Sequence, residues 1–133
     1  LMAEFRKVHQ YIVFSANTPF QYALADYMQD KDAYLQLNNY YQEKRDYFTK
    51  LIADTKFKFV PASGSYFQLL AYSNLSDQKD TEYHIRLTKE YKIASVPTSV
   101  FYHQPLDNKY LRFCFAKSNE TLEQAAEKLL KIK

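Results

Sequence analysis

Few side chains in this sequence are of a type and in a setting to do chemistry, and the most conspicuous is an arginine inside an apolar stretch. Leu111-Arg112-Phe113-Cys114-Phe115-Ala116-Lys117 alternates as an extended strand does. Leu111, Phe113 and Phe115 then share one face, and Arg112, Cys114 and Ala116 the other, which is small and apolar apart from the guanidinium. Arginine keeps its charge in proteins and is rarely buried without an anion. Two readings of Arg112 are open. One is a structural ion pair or an edge-strand charge; the other is a fork that grips a carboxylate or phosphate through paired N–H bonds.

The remaining candidates are weaker. His9, His84 and His103 have no metal-ligand spacing and no carboxylate cluster beside them, so they read as surface or core filling and no metal site is expected. Cys114 reads as a buried thiol rather than a nucleophile. Ser63, Ser65 and Ser99 lack the G-x-S-x-G elbow of a hydrolase. Most of the 13 tyrosines fall at core or boundary positions of helices, where a hydroxyl can reach water. Lys109-Tyr110-Leu111-Arg112-Phe113-Cys114-Phe115 has some likeness to an RNA-binding strand but lacks its required glycine. A non-catalytic binding module, for example one stacking single-stranded nucleic acid on a basic aromatic sheet, is therefore the alternative reading.

Composition narrows the classes further. The 133 residues are 47% hydrophobic, enough for one domain core, and the net charge of +3 is too mild to point to nucleic acid by itself. Gly64 is the single glycine, where average usage would give about nine. Glycine-rich phosphate loops are thereby excluded, both the P-loop and the dinucleotide fingerprint. The single Cys114 excludes an intramolecular disulfide and suits a reducing, cytoplasmic setting. No apolar run is long enough for a membrane span and no signal peptide is visible, so no membrane partner is expected. Leu1 stands in mid-pattern without a cap, which suggests a piece of something longer.

The elements that must position these residues follow from periodicity. Leu1, Phe5, Val8 and Ile12 predict a helix to about Phe14, and Thr18 as N-cap with Pro19 predicts a second to about Met28. A long helix from about Asp32 to Asp54 carries Tyr34, Leu37, Tyr41, Phe48, Leu51 and Ile52 on one stripe. The pattern then changes. Phe57–Val60 and Ser65–Tyr72 read as strands around a turn at Pro61–Gly64. A helix from Asp80 to Tyr91, a short strand Ile93–Val96 ended by Pro97, irregular chain at Ser99–Tyr102 and a turn over Gln104–Lys109 lead to the arginine strand. Asn119 caps a last helix with Leu122, Ala125, Ala126, Leu129 and Leu130 on its buried face. The expected division is a helical segment over residues 1–54 and a small α/β domain over 55–133.

Several stretches together resemble the C-terminal third of class I/II, fold-type I pyridoxal-phosphate aminotransferases, and within them the methionine/kynurenine aminotransferase branch. They are Arg6-Lys7-Val8-His9-Gln10 with Val13-Phe14-Ser15-Ala16-Asn17-Thr18-Pro19, then Gly64-Ser65-Tyr66-Phe67. Ile93-Ala94-Ser95-Val96-Pro97-Thr98-Ser99-Val100-Phe101-Tyr102 and the strand Leu111–Lys117 complete the set, in the family's order and over nearly the whole chain. The resemblance implies an α/β (α+β) fold: the family's C-terminal small domain, a small sheet packed with helices, preceded by helices of the large domain.

It also implies roles. Arg112 would fork onto the α-carboxylate of an amino-acid or 2-oxo acid substrate. Phe14 and Ser15 would lie at a homodimer interface and line the partner's substrate pocket, and Gly64 and Tyr66 would border the substrate cleft. For each of these last residues plain packing is an equal alternative. The cofactor implied for the parent protein is pyridoxal 5'-phosphate, but no lysine here sits in the family's Schiff-base motif. The resemblance thus implies no catalytic and no cofactor-binding residue in this chain, which alone would be inactive. Two departures stand out: Ser65 replaces a frequent second glycine, and Lys92 stands where glycine often ends the preceding helix. Either could shift the backbone locally, because glycine tolerates a positive φ.

Overall fold

The computed structural model describes residues 1–104 and 106–133. It forms two compact units, Leu1–Leu37 and Asn38–Lys133, and each is taken by itself.

The first unit holds α1 (Met2–Val13), α2 (Thr18–Tyr27) and the short α3 (Asp32–Leu35). The cap of α2 lies one residue earlier than expected. Asn17 Oδ1 accepts the Phe20 N–H at 3.3 Å, which places Thr18 and Pro19 inside the first turn. Asparagine caps at least as well as threonine, so the shift is energetically small. Local polar bonds shape the α2–α3 turn: the Tyr27 hydroxyl donates to the Ala33 carbonyl (3.1 Å) and the Tyr34 hydroxyl to the Met28 carbonyl (3.3 Å). None of these helices has a buried residue. Phe5, Val8 and Ile12, whose spacing predicts α1, are all exposed.

The second unit opens with α4 (Leu37–Leu51). The single long helix expected over 32–54 is thus two helices interrupted at Gln36. The compact units divide at 37/38, whereas the change of sequence pattern at 54/55 lies just beyond the end of α4. The reason is packing: Phe48 of α4 and Ile52 just beyond it belong to the second unit's core.

After α4 come β1 (Phe67–Ala71), α5 (Asp80–Arg86) running into a π-helical turn at Leu87–Tyr91, and β2 (Val96–Pro97). A 3₁₀ turn (Ser99–Phe101), β3 (Tyr110–Cys114) and α6 (Asn119–Leu129) complete it. The strands form one antiparallel sheet in the order β1-β3-β2. The strand expected at 57–60 reduces to one bridge, Lys58 to Ala71. β2 is shorter than the strand expected over Ile93–Val96, and Pro97 is its last paired residue, which an edge position permits because proline has no N–H to give a further neighbour. The expected turn over Gln104–Lys109 includes Pro105, which lies outside the described residues.

One face of the sheet is covered. Leu70 and Leu111, directly paired across β1 and β3, are fully buried, with Phe113 and Gln68 beside them. The core they join includes Tyr72, Tyr83, Phe115 and Leu129. Each fully buried large apolar side chain contributes about 1.5–3 kcal/mol relative to exposure. α6 is capped by Ser118, not Asn119: Ser118 Oγ accepts the Thr121 N–H at 3.3 Å. Asn119 Oδ1 instead accepts from Lys44 Nζ at 2.7 Å, tying α6 to α4. A second tie joins the Tyr47 hydroxyl to the Glu123 carboxylate, and that bond raises the Tyr47 pKa. Leu130, expected on the buried face, is exposed. No helix among the described residues is long and apolar enough to cross a membrane.

Candidate functional site

The site is built on the uncovered face of the sheet. Leu69 and Val96 are the residues directly across from Arg112 on its two neighbouring strands, and Cys114 pairs with Phe67. Leu69, Tyr110 and Cys114 are exposed there. The expectation of a buried Cys114 thiol is therefore corrected. The covered side of β3 belongs to Leu111 and Phe113, and alternation puts Cys114 on the other. Nor is that face small, since β1 contributes Phe67 and Leu69 to it.

Arg112 itself is half-buried, and its packing is aromatic. The guanidinium carbon lies 4.8 Å from the Phe67 ring centroid and 5.1 Å from that of Phe101. Among the described residues it takes part in no ion pair. The structural ion-pair reading of Arg112 thus finds no partner. Cation–π contacts of this kind are worth about 0.5–1 kcal/mol each where water has access. They hold the plane of the guanidinium while leaving its N–H fork unspent.

The loop before β1 is stapled by two side chains that sequence reasoning passed over. Gln68, 1% exposed, donates to the Val60 carbonyl (2.7 Å) and accepts the Ala62 N–H (3.0 Å). Arg45 of α4, itself paired with Asp46, donates to the Ala62 carbonyl at 3.1 Å. Glutamine in a strand gives no sequence signal for such a role. Beyond this staple, Gly64 and Tyr66 line a cavity of about 450 Å³ together with Arg45 and Tyr41. A side chain at Gly64 would meet nothing, and its φ is not positive; the left-handed residue of this loop is Ser65, at φ 75°. Lys92, at φ 57° and ψ 40°, likewise keeps the left-handed conformation that ends the π-helical turn. At both positions the backbone holds the conformation and the side chain bears the strain.

Arg112 lines a different cavity, of about 420 Å³, with Lys92, Ser95, Val96, Cys114 and residues of α6. Within it Ser95 Oγ is buried without a hydrogen-bond partner. The two expected groups are nonetheless linked: the Tyr66 ring stands edge-on to Phe67 at 5.6 Å, and Phe67 packs on Arg112. The Tyr66 carbonyl also accepts the Phe115 N–H at 2.9 Å. Phe14 and Ser15 lie in the first unit, both exposed, Phe14 with φ 50° at the end of α1. His9 and His103 are exposed and His84 is half-buried. Among the described residues no group of histidine, cysteine and carboxylate side chains could hold a metal ion.

Residues 1–129 match the family model for aminotransferase class I and II. The chain belongs to that family. It is 43% identical over 130 residues to a methionine aminotransferase of Escherichia coli, which covers 97% of this chain and 34% of the relative. It is 35% identical to a kynurenine–oxoglutarate transaminase of Dictyostelium discoideum, over 94% of this chain and 34% of that one. A crystal structure of an E. coli protein with methionine aminotransferase function superposes with a TM-score of 0.87 over 97% of this chain and 34% of its own, at 43% identity. An N-succinyldiaminopimelate aminotransferase of Mycobacterium tuberculosis follows at 0.83 and 28% identity, covering 99% and 35%. The chain thus spans about a third of the length of these relatives, and its helices and small sheet are those of fold-type I aminotransferases.

Class I and II aminotransferases use pyridoxal phosphate, and the residues of this aminotransferase chain do not form a cradle for it. The lysines beside Arg112 are committed or solvent-facing: Lys92 Nζ donates to the Lys89 carbonyl (2.7 Å), Lys128 Nζ reaches the Lys92 carbonyl (3.4 Å), and Lys117 is exposed. None is buried in the apolar setting that activates a Schiff-base lysine.

Proposed function

We propose that this chain is the substrate-carboxylate half of a pyridoxal-phosphate aminotransferase, in which Arg112 forks onto the α-carboxylate of an amino acid and of the 2-oxo acid that replaces it. The observation that carries this is the guanidinium held against Phe67 and Phe101 with no paired carboxylate among the described residues. A planar donor pair fixes a carboxylate in position and in plane. Fixing that plane sets the direction of the substrate's Cα–H bond, which is what orientation contributes to a group transfer. The cofactor supplies the electron sink that lets the amino group move, and the residues holding it are not among those of this chain.

The substrate is an amino acid of methionine, aromatic or kynurenine type, as the named relatives suggest, and exchange is ping-pong with a second oxo acid. The complete protein is a homodimer of the cytoplasm, in which the exposed Phe14 and Ser15 meet the partner's pocket and Gly64 and Tyr66 border the cleft. This chain alone neither binds the cofactor covalently nor transaminates. In the complete enzyme Arg112→Ala raises KM for amino and oxo acid alike by about tenfold or more, the worth of a charge-assisted bidentate contact. An unchanged KM sinks the assignment.

A second reading rests on the exposed rings and the cation of the same face, Phe101, Tyr110 and Arg112, which could stack single-stranded nucleic acid. Steep salt dependence of oligonucleotide binding would favour it, and a flat response would remove it.

A further inference from the structure

The ring of Phe101 reaches Arg112 from a 3₁₀ turn that the sheet alone does not hold. Asp80, at the start of α5, is 1% exposed and spends both carboxylate oxygens on one residue of that turn. Its Oδ2 accepts the Ser99 N–H at 2.7 Å and its Oδ1 accepts the Ser99 hydroxyl at 2.6 Å. Ser99 is buried as well. Asp80 forms no ion pair among the described residues, so its oxygens are committed to the turn. The Asp80 N–H donates to Asp107 Oδ2 at 3.2 Å, and Asp107 pairs with Lys109 at 3.4 Å, one residue before β3. On the other side of Ser99, Thr98 Oγ1 donates to the Tyr110 carbonyl at 3.1 Å. The turn is thus pinned to α5 at Ser99 and to β3 at Thr98, two residues before the Phe101 ring and three.

From this we infer that Asp80 is a positioning residue for substrate-carboxylate binding: through Ser99 it sets the Phe101 ring against Arg112, and the ring orients the guanidinium fork. The inference rests on the reading of Arg112 given above and extends it to a residue that touches neither substrate nor cofactor. A buried carboxylate with both oxygens on a single serine is a stiff anchor, because neither bond can be replaced by water without opening the core. Phe101 is itself 63% exposed, so its place over Arg112 depends on the turn and not on burial. Without the anchor the ring swings free, and the guanidinium regains rotamers that it must lose again on binding.

The test uses the complete enzyme and two half-substrate probes, 4-(methylthio)butanoate, which has the carboxylate but no amino group, and 3-(methylthio)propylamine, which has the amine but no carboxylate. Dissociation constants are measured by calorimetry for Arg112→Lys, Asp80→Asn, Phe101→Leu and Phe101→Tyr. Asp80→Asn and Phe101→Leu should weaken the acid about two- to fivefold, the worth of one cation–π contact, and leave the amine unmoved. Phe101→Tyr, which keeps the ring, should bind the acid as the parent does. Should Asp80→Asn fail to fold, Ser99→Ala, which removes the hydroxyl bond to Asp80 and should weaken the acid in the same way, carries the test of the anchor, while Phe101→Leu tests the ring. Equal weakening of acid and amine, or no weakening of the acid when Arg112→Lys abolishes its binding, overturns the positioning role and spares the function. No weakening by Arg112→Lys overturns the reading of Arg112 and this inference with it.

Discussion

The first compact unit of this chain is the richer in apolar residues, 21 of 37 against 41 of 96 in the second, and yet the two end in opposite states. In Leu1–Leu37 the helices are well started and no helical residue is buried. In Asn38–Lys133 a sheet and helices enclose a core around Leu70, Leu111 and Phe115. The difference teaches that helix formation and burial are separate accomplishments. Asn17, Pro19 and the tyrosine hydroxyls shape α2 and its turn without removing any large side chain from water. Short isolated helices are marginal in water, and most helical stability comes from packing an amphipathic face. The first unit therefore carries a face in search of a cover, whereas the second supplies its own.

The largest test of that contrast is core truncation. Leu111→Ala should destabilise the chain by about 2–5 kcal/mol in denaturant unfolding, whereas Ile12→Ala, at an exposed position, should stay within about 0.5 kcal/mol. Native-state hydrogen exchange should agree, with β1 and β3 amides protected and those of α1 open. Comparable costs at both positions would break the contrast.

Alkaline pH offers a finer cut. Burial, with the Asp107 and Asp80 carboxylates adding to it, pushes the Tyr72 hydroxyl well above its ordinary value. A raised pKa means that the folded state favours the neutral phenol. Its stabilising effect is whole below the unfolded value of about 10 and is lost as pH climbs from there toward the folded value. The second unit should therefore lose stability above about pH 10, and Tyr72→Phe should flatten that limb. It should also cost about 1 kcal/mol at neutral pH through the lost bond to the Gln78 carbonyl. An alkaline limb unaltered by Tyr72→Phe would move its origin to another group.

The smallest effect concerns strain. Lys92 holds φ 57° where glycine would sit freely. Lys92→Gly should stabilise the second unit by about 0.5–1 kcal/mol, relief of left-handed strain less the added freedom of the unfolded chain. A loss of stability instead would mean that the Lys92 side chain, bonded to the Lys89 carbonyl, outweighs the strain.

Much of the frame is legible in the residues. Helical periodicity located α1, α2 and α6 to within a residue or two, and alternation put Leu111 and Phe113 on the covered face of β3. Both caps lie one residue before the expected Thr18 and Asn119, because Asn17 and Ser118 are equally able acceptors and the sequence does not rank them. The break at Gln36 and the burial of Gln68 left no local trace. Gln68 is buried because it satisfies two backbone groups of a loop, and that need arises only once the loop has folded back on the strand.

For Arg112 the division is sharp. Its place in an alternating strand and the motifs around it follow from the sequence, since local pattern decides which face a strand residue takes. That the guanidinium has two rings and, among the described residues, no paired carboxylate, and that Asp80 anchors Ser99 across 19 residues, only the tertiary structure decides. Contacts between distant segments depend on how the core brings β3, α5 and the 3₁₀ turn together, and no spacing along the chain encodes that distance.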